Sequence, residues 1–126
     1  MTNPYKGRIG LDRVVRAIGY SFEGLASAYR GESAFRQETW AAVGTSTTAF
    51  WLGRTWLETL LLVGSVVFVM IVELLNSGIE AAIDRISFDR HELSKRAKDQ
   101  ASAAVFLSVM LASATWLTLA WQRFLA

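Results

Sequence analysis

Two glutamates, an asparagine and an aspartate recur along one apolar segment at the spacing of a helix face. Glu73, Asn76 and Glu80 stand at positions i, i+3 and i+7, and Asp84 follows at i+11. At about 100° per residue these side chains form one stripe. Carboxylates within a membrane usually face a polar cavity and serve an ion, a proton or a substrate. This applies best to Glu73, because fourteen uncharged residues precede it, whereas Asp84 can lie outside the membrane.

A second polar cluster precedes the last apolar run. His91, Lys98 and Asp99 lie in it, and Ser102 follows Lys98 at i+4 and Asp99 at i+3, on the same helix surface. A basic loop beside a membrane is ordinarily a topology signal or an anionic-lipid contact, and a lone loop histidine is usually solvated. The combination with Ser102 and Asp99 favours a binding site.

Acidic residues also precede the first apolar segment. Glu32 and Glu38 flank Arg36 there, at the depth at which Glu80 emerges from the second segment. Two carboxylates from different helices at one depth can share a hard cation such as Mg²⁺, which is typically bound by a few carboxylate oxygens together with phosphates and water. The pattern indicates a magnesium site between helices.

The elements that must position these groups are apolar helices. The 126 residues are 52% hydrophobic and 19% charged, whereas a soluble domain carries about 25% charge. We predict a single all-α integral membrane domain over 1–126, with transmembrane helices at 36–53, 56–84 and 99–122. The first is the weakest of the three, because it holds fifteen uncharged residues from Thr39 to Gly53 and a threonine-rich run.

The basic residues alternate along the chain in the way that three crossings require. Six Lys and Arg precede the first apolar segment, one follows it, five lie between Asp84 and Asp99, and one is in the tail. Because Lys and Arg accumulate in cytoplasmic loops, the N-terminus and the 85–98 loop are predicted to be cytoplasmic and the C-terminus to lie on the opposite side.

An amphipathic segment, 8–31, precedes the three crossings. Its apolar residues recur at steps of three and four, which indicates a helix; they are Leu11, Val14, Val15, Ile18, Phe22, Leu25 and Tyr29. We predict that this helix lies on the cytoplasmic membrane surface. The alternative is an ordinary helix packed on a protein core, for which so short a chain has little material.

Several function classes lack support in this sequence. A net charge of +2 is far from the dense basic surface that nucleic-acid binding requires. The absence of cysteine excludes disulfides, thiolate metal sites and cysteine catalysis. Phosphate-binding P-loops, dinucleotide fingerprints and the protease and esterase motifs are missing as well, and no cleavable signal peptide is predicted.

The polar segments together resemble the prokaryotic diacylglycerol kinases, small integral-membrane lipid kinases. Residues 73–84, ELLNSGIEAAID, are similar to the family signature, with Gly78 where the family usually has alanine and Ile83 where it often has valine. The segments 17–21 (AIGYS), 32–38 (ESAFRQE), 91–94 (HELS) and 96–102 (RAKDQAS) are family-like too. The resemblance extends from about Arg13 to Trp121.

The resemblance implies a homotrimer in the bacterial inner membrane that transfers the γ-phosphoryl group of MgATP to the hydroxyl of diacylglycerol, forming phosphatidic acid. Glu73 would be the general base with Asn76 in support, and Glu32 and Glu80 would hold Mg²⁺. The other nucleotide contacts implied are Arg13, Tyr20, Asp89, Arg90, His91, Lys98 and Asp99. The implied lipid contacts, besides Glu73, are Ala17, Gly19, Ser21, Phe35, Arg36, Trp51 and Ser102.

Other functions stay open on the sequence. A related undecaprenol kinase would use a polyprenol as acceptor. A small oligomeric transporter or channel would place Glu73, Asn76 and Glu80 along a conduction path, but it has no evident need for Lys98, Asp99 and His91. A non-catalytic assembly subunit packed through small residues such as Gly64 and Ser77 leaves the buried carboxylate unexplained.

Overall fold

The computed structural model describes residues 10–126, and these form four α-helices joined by short turns. The helices are α1 (Gly10–Gly31), α2 (Ser33–Leu52), α3 (Trp56–Ile86) and α4 (Glu92–Phe124). The helices of the predicted all-α fold are confirmed at all four segments. The predicted start of the first helix at residue 8 lies outside the described residues.

Each helix boundary has a local cause. Glu32 has an extended backbone, with φ −127° and ψ 112°, which separates α1 from α2 by one residue. The Thr55 hydroxyl accepts a hydrogen bond from the Glu58 amide and begins α3. His91 begins α4 in the same way, because its Nδ1 accepts from the Leu93 amide at 3.0 Å. Helix α4 therefore starts before the predicted crossing at 99–122 and includes the charged residues ahead of it.

The most extensive helix contact joins α3 and α4, and α2 packs against α3. The hydrophobic core is small and consists of Ala49, Leu52, Leu62 and Leu119. Trp116 packs against it and donates its indole N–H to the Leu62 carbonyl at 3.2 Å and to Ser65 Oγ at 3.1 Å. This core lies near the α2–α3 turn, whereas Phe35 and Ala101 are buried apart from it, toward the opposite end of the bundle.

Helices α3 and α4 are long and apolar enough to cross a membrane. Their most apolar 18-residue windows have mean hydropathies of 2.2 and 1.9, and 11% of each window is buried within the chain. A core helix of a soluble protein would be mostly buried, whereas here the apolar side chains point outward. Both features are typical of helices that cross a membrane. Helix α2 does not meet the same criterion, because Arg36, Gln37 and Glu38 lie within it and threonine and glycine interrupt its apolar surface, so its crossing stays a prediction.

Candidate functional site

The carboxyl groups of Glu38 on α2 and Glu73 on α3 lie close together. Both side chains are partly buried, at the point where α2 and α3 run side by side. The helix contact therefore brings two carboxyl groups from different helices to one position in the bundle.

An apolar groove between α2, α3 and α4 ends at this carboxyl pair. Its volume is about 320 Å³, and Glu38 is the charged residue in its lining; the other residues are Ala41, Ala42, Thr45, Val66, Val69, Met70, Val109, Ala112, Ser113 and Trp116. Met70 lies one turn before Glu73 on α3. An apolar chain in this groove would therefore place its polar end beside the two carboxyl groups.

Glu32 joins the break between α1 and α2 to the middle of α3. Its Oε2 accepts a hydrogen bond from Ser77 Oγ at 2.7 Å. Nearby, Arg36 Nη1 donates to the Tyr29 and Arg30 carbonyls, both at 2.9 Å, and so satisfies carbonyl groups at the end of α1. Arg36, an implied lipid contact, thus fixes the direction in which α1 leaves α2.

A wider cavity of about 730 Å³ opens between α1 and α3. Glu32 and the implied lipid contact Ser21 line it together with Ser77, and most of its other lining residues are glycine or alanine. The Ser21 hydroxyl donates to the Ala17 carbonyl within α1 at 2.9 Å. The cavity brings together two of the predicted site residues, Ser21 on α1 and Glu32 in the break between α1 and α2.

Asn76 and Glu80 interact with each other one turn beyond Glu73. Asn76 Nδ2 donates to Glu80 Oε1 at 3.4 Å, and the buried Asn76 Oδ1 has no hydrogen-bond partner among residues 10–126. The amide therefore supports Glu80 directly, where the resemblance implied support for Glu73. It also leaves a carbonyl oxygen available to a further group.

The oxygen donors in this region suit the chemistry of Mg²⁺. Glu32 and Glu80 supply carboxylate oxygens and Asn76 a carbonyl oxygen, which are hard ligands. Within residues 10–126 there is no cluster of three or more His, Cys, Asp or Glu side chains arranged to hold a metal.

The turn between α3 and α4 forms a polar cavity of about 380 Å³. All five predicted nucleotide contacts from this part of the chain line it, namely Asp89, Arg90, His91, Lys98 and Asp99. Their positions follow from the local structure, because Ser87 Oγ accepts from the Asp89 amide at 2.9 Å and His91 caps α4. Loop and helix residues are thereby gathered around one opening.

Two ion pairs organise the positive charge in this cavity. Lys98 Nζ donates to Asp84 Oδ1 at 2.8 Å, and Lys95 Nζ donates to Asp99 Oδ2 at 2.6 Å. The hydrogen bond to Asp99 raises the pKa of Lys95, which precedes the apolar stretch of α4. Lys95 is therefore a charged cation at neutral pH, as binding of phosphate groups requires.

Other predicted site residues lie apart from these cavities. Arg13, Ala17, Gly19 and Tyr20 are exposed on α1, and Ser102 is exposed on α4. Phe35 is buried near the start of α2. Trp51 lies at the other end of α2, with its ring 5.7 Å from that of Phe124; sixteen residues separate it from Phe35, about 24 Å along the helix. Trp51 is thus well separated from the carboxyl pair.

The structure also brings in residues to which the sequence assigned no role. Glu38 belongs to the family-like run 32–38, but its partnership with Glu73 depends on the contact between α2 and α3. Ser77 lies inside the signature segment, where its spacing of four from Glu73 puts it on the same face. Asp84 was part of the stripe without a partner. The partner residues lie on other helices, and spacing within one helix carries no information about them.

Comparison with known proteins identifies the family to which these features belong. The family model described as prokaryotic diacylglycerol kinase matches residues 19–120. The diacylglycerol kinase of Escherichia coli strain K12 is 48% identical over 115 residues, which cover 91% of this chain and 94% of that protein. The diacylglycerol kinase of Pseudomonas aeruginosa is 45% identical over 117 residues, covering 93% and 95%.

A more distant relative, the diacylglycerol kinase of Helicobacter pylori, is 40% identical over 116 residues, covering 92% of this chain and 87% of that protein. The chain belongs to the prokaryotic diacylglycerol kinase family. It is therefore an enzyme of the phosphotransferase class, and the resemblance inferred from its motifs is confirmed.

Proposed function

We propose that this protein transfers the γ-phosphoryl group of ATP to the hydroxyl group of diacylglycerol and releases phosphatidic acid and ADP. The observation that carries the proposal is the Glu38–Glu73 carboxyl pair at the end of an apolar groove. A lipid in the groove would present its hydroxyl to a group that can accept a proton. The names of the relatives indicate the same acceptor.

In this mechanism Glu73 is the general base. It takes the proton of the lipid hydroxyl as the oxygen attacks the γ-phosphorus in line with the departing ADP oxygen. Glu38 lies beside Glu73 and is proposed to orient its carboxyl group. Since the acceptor is membrane-bound and ATP is in water, a base at the polar end of a membrane helix is placed where both substrates can reach it.

The nucleotide is bound by the α3–α4 cavity and by α1. Lys98 and Arg90 supply positive charge for the phosphates, with Asp89, His91 and Asp99 beside them, and Arg13 and Tyr20 on α1 are proposed as further nucleotide contacts. Glu73 and Asp84 are eleven residues apart, which is about 16 Å along α3. ATP bound in this cavity would have to extend along α3, past Glu80, toward the carboxyl pair.

Mg²⁺ is proposed as the metal, with Glu32 and Glu80 as its protein ligands. When bound, it neutralises charge on the phosphate oxygens during transfer. Ser77 holds the Glu32 carboxylate and Asn76 holds Glu80, so the chain itself orients both acidic groups. We expect Glu80→Gln to raise the Mg²⁺ concentration required for half-maximal rate about tenfold or more. Even the loss of a residue that only supports a metal ligand typically lowers metal affinity about 10–100-fold.

We further propose three crossings per subunit, by α2, α3 and α4, with α1 on the cytoplasmic surface of the bacterial inner membrane. The C-terminus then lies on the opposite side. The outward apolar surfaces of α3 and α4 are compatible with a homotrimer in which helices of neighbouring subunits pack together. Cross-linking in bilayers tests the number of subunits, and labelling of single cysteines introduced at 54 and 88 tests the sidedness.

The activity is tested with the full chain in mixed micelles, using ATP labelled at the γ-phosphate, Mg²⁺ and either diacylglycerol or undecaprenol. Labelled phosphatidic acid that disappears in Glu73→Gln supports the proposal. Product from undecaprenol alone would assign the polyprenol as acceptor. If neither lipid is phosphorylated, the proposal is contradicted, and transport along the stripe of Glu73, Asn76 and Glu80 is favoured instead.

A further inference from the structure

The ion pair between Lys98 and Asp84 bridges the α3–α4 turn. Asp84 lies two residues before the end of α3, and Lys98 lies in the second turn of α4. The Nζ–Oδ1 distance is 2.8 Å, and the two side chains are 43% and 39% exposed. A pair this exposed contributes little to the free energy of unfolding. The main effect of the ion pair is therefore on the position of the Lys98 ammonium group.

The surroundings leave Asp84 as the carboxylate that holds Lys98. Asp89 and Asp99 line the same cavity; Asp99 is paired with Lys95 at 2.6 Å, and Lys98 makes its ion pair with Asp84. Lys98 itself lines the cavity at the α3–α4 turn together with Arg90 and His91. Asp84 does not line that cavity, whereas its neighbour Ile83 does, so its carboxylate anchors the lysine at the edge of the opening.

We propose that Asp84 is a positioning residue that fixes the Lys98 ammonium at the nucleotide-binding cavity. A lysine side chain is a point charge on a flexible four-carbon stem, and ordering such a side chain on binding costs about 0.5–1.5 kcal/mol. With Asp84 in place, this ordering is done before the nucleotide arrives. The inference rests on the proposed function, in which Lys98 contacts the phosphates of ATP.

Positioning and simple charge repulsion predict opposite results when Asp84 is neutralised. If Asp84 acted through its charge alone, its removal would make the cavity more positive and lower the KM for MgATP. If it holds Lys98 in place, its removal frees the ammonium and raises the KM. The direction of the change therefore separates the two roles.

The test measures kcat, the KM for MgATP, the KM for diacylglycerol and the thermal midpoint of the full chain in mixed micelles. Asp84→Asn is expected to raise the KM for MgATP roughly two- to tenfold and to leave the KM for diacylglycerol unchanged. Asp84→Glu, which keeps the carboxylate, should recover most of the affinity. Glu58→Gln is the matched control, because it removes an ion-paired carboxylate at the other end of the bundle, where Arg54 contacts Glu58 at 3.4 Å.

A double-mutant cycle with Lys98→Met shows whether Asp84 acts through the lysine. If it does, Asp84→Asn combined with Lys98→Met raises the KM for MgATP no further than Lys98→Met alone. Fully additive effects would overturn the inference, as would a KM for MgATP that Asp84→Asn leaves unchanged or lowers. So would a loss of thermal stability in Asp84→Asn with an unchanged KM, since the pair would then be structural.

The controls separate this inference from the proposed function. Lys98→Met that raises the KM while Asp84→Asn does not would overturn the positioning role and leave nucleotide binding by Lys98 standing. Lys98→Met without any effect on the KM would remove Lys98 from the proposed site, and the inference with it.

Discussion

The two ends of the helix bundle are held together by different interactions. Near the α2–α3 turn, Leu52, Leu62 and Leu119 are buried against each other, and the Trp116 indole is bonded to α3. At the other end, the helices meet through polar contacts between Glu38 and Glu73, Ser77 and Glu32, and Lys98 and Asp84. One end is held by this apolar cluster, and the other, where Phe35 and Ala101 are also buried, is lined by polar cavities.

The residues that stabilise the bundle and the proposed site residues therefore lie at different ends of its axis. A phosphotransferase that uses a water-soluble donor needs exposed cations and acidic groups, which cannot be buried in a dry core without large desolvation costs. The apolar end supplies the packing that keeps the helices aligned. Substitutions at the polar end should therefore reduce activity more than stability, and substitutions at the packed end should do the reverse.

The strongest test of this separation is Glu73→Gln. The amide can hydrogen-bond to Glu38 but does not act as a base, so we expect kcat to fall by about 10²- to 10⁴-fold with a small change in the KM for MgATP. The thermal midpoint should stay close to that of the parent. Comparable losses of activity in Glu73→Gln and in the distant Glu58→Gln would contradict a special role for Glu73.

The converse test is Leu62→Ala, at the fully buried leucine of the packed end. The change leaves a cavity and is expected to lower the free energy of unfolding by about 2–5 kcal/mol, measured by thermal or denaturant unfolding in micelles. The kcat of the protein that remains folded should be within about twofold of the parent. A loss of kcat without a loss of stability would contradict the view that Leu62 stabilises the bundle without taking part in the reaction.

A smaller effect is expected from Gly53→Ala in the turn that joins α2 to α3. A Cβ at Gly53 would lie 2.8 Å from the Thr59 backbone nitrogen, and Thr59 is buried. Because backbone atoms cannot easily move away, we expect a loss of about 1–3 kcal/mol in stability. Gly64→Ala is the control, since a Cβ there meets nothing within 4 Å. Equal behaviour of the two variants in thermal unfolding would argue against close packing in this turn.

The smallest effect is expected from Trp116→Phe. The substitution keeps an aromatic ring against the core but removes the N–H that donates to Leu62 and Ser65. The loss should be about 1 kcal/mol, seen as a lower thermal midpoint with phosphotransfer retained. A large loss of phosphotransfer in this variant would show that the two ends are coupled more tightly than their contacts indicate.

Much of the fold follows from the sequence because helix formation and membrane insertion depend on local composition. The charge-free stretch Ala101–Trp121 and the apolar run before Glu73 both lie within single helices of the structure. The start of α4 at Glu92 was less accessible, because charged residues outside a membrane can be either helix or loop. The histidine that caps this helix becomes visible only in the backbone geometry around it.

The candidate site divides in the same way. The helical membrane class, the stripe from Glu73 to Asp84 and the family could be predicted from the sequence, because they depend on residue types and on spacing within a continuous segment. Three contacts became visible only in the tertiary structure. Glu38 lies beside Glu73, Ser77 is hydrogen-bonded to Glu32 at a sequence separation of 45, and Asp84 pairs with Lys98 at a separation of 14. The physical reason is that these partners lie on different helices, so their distances depend on the angle and register at which the helices pack.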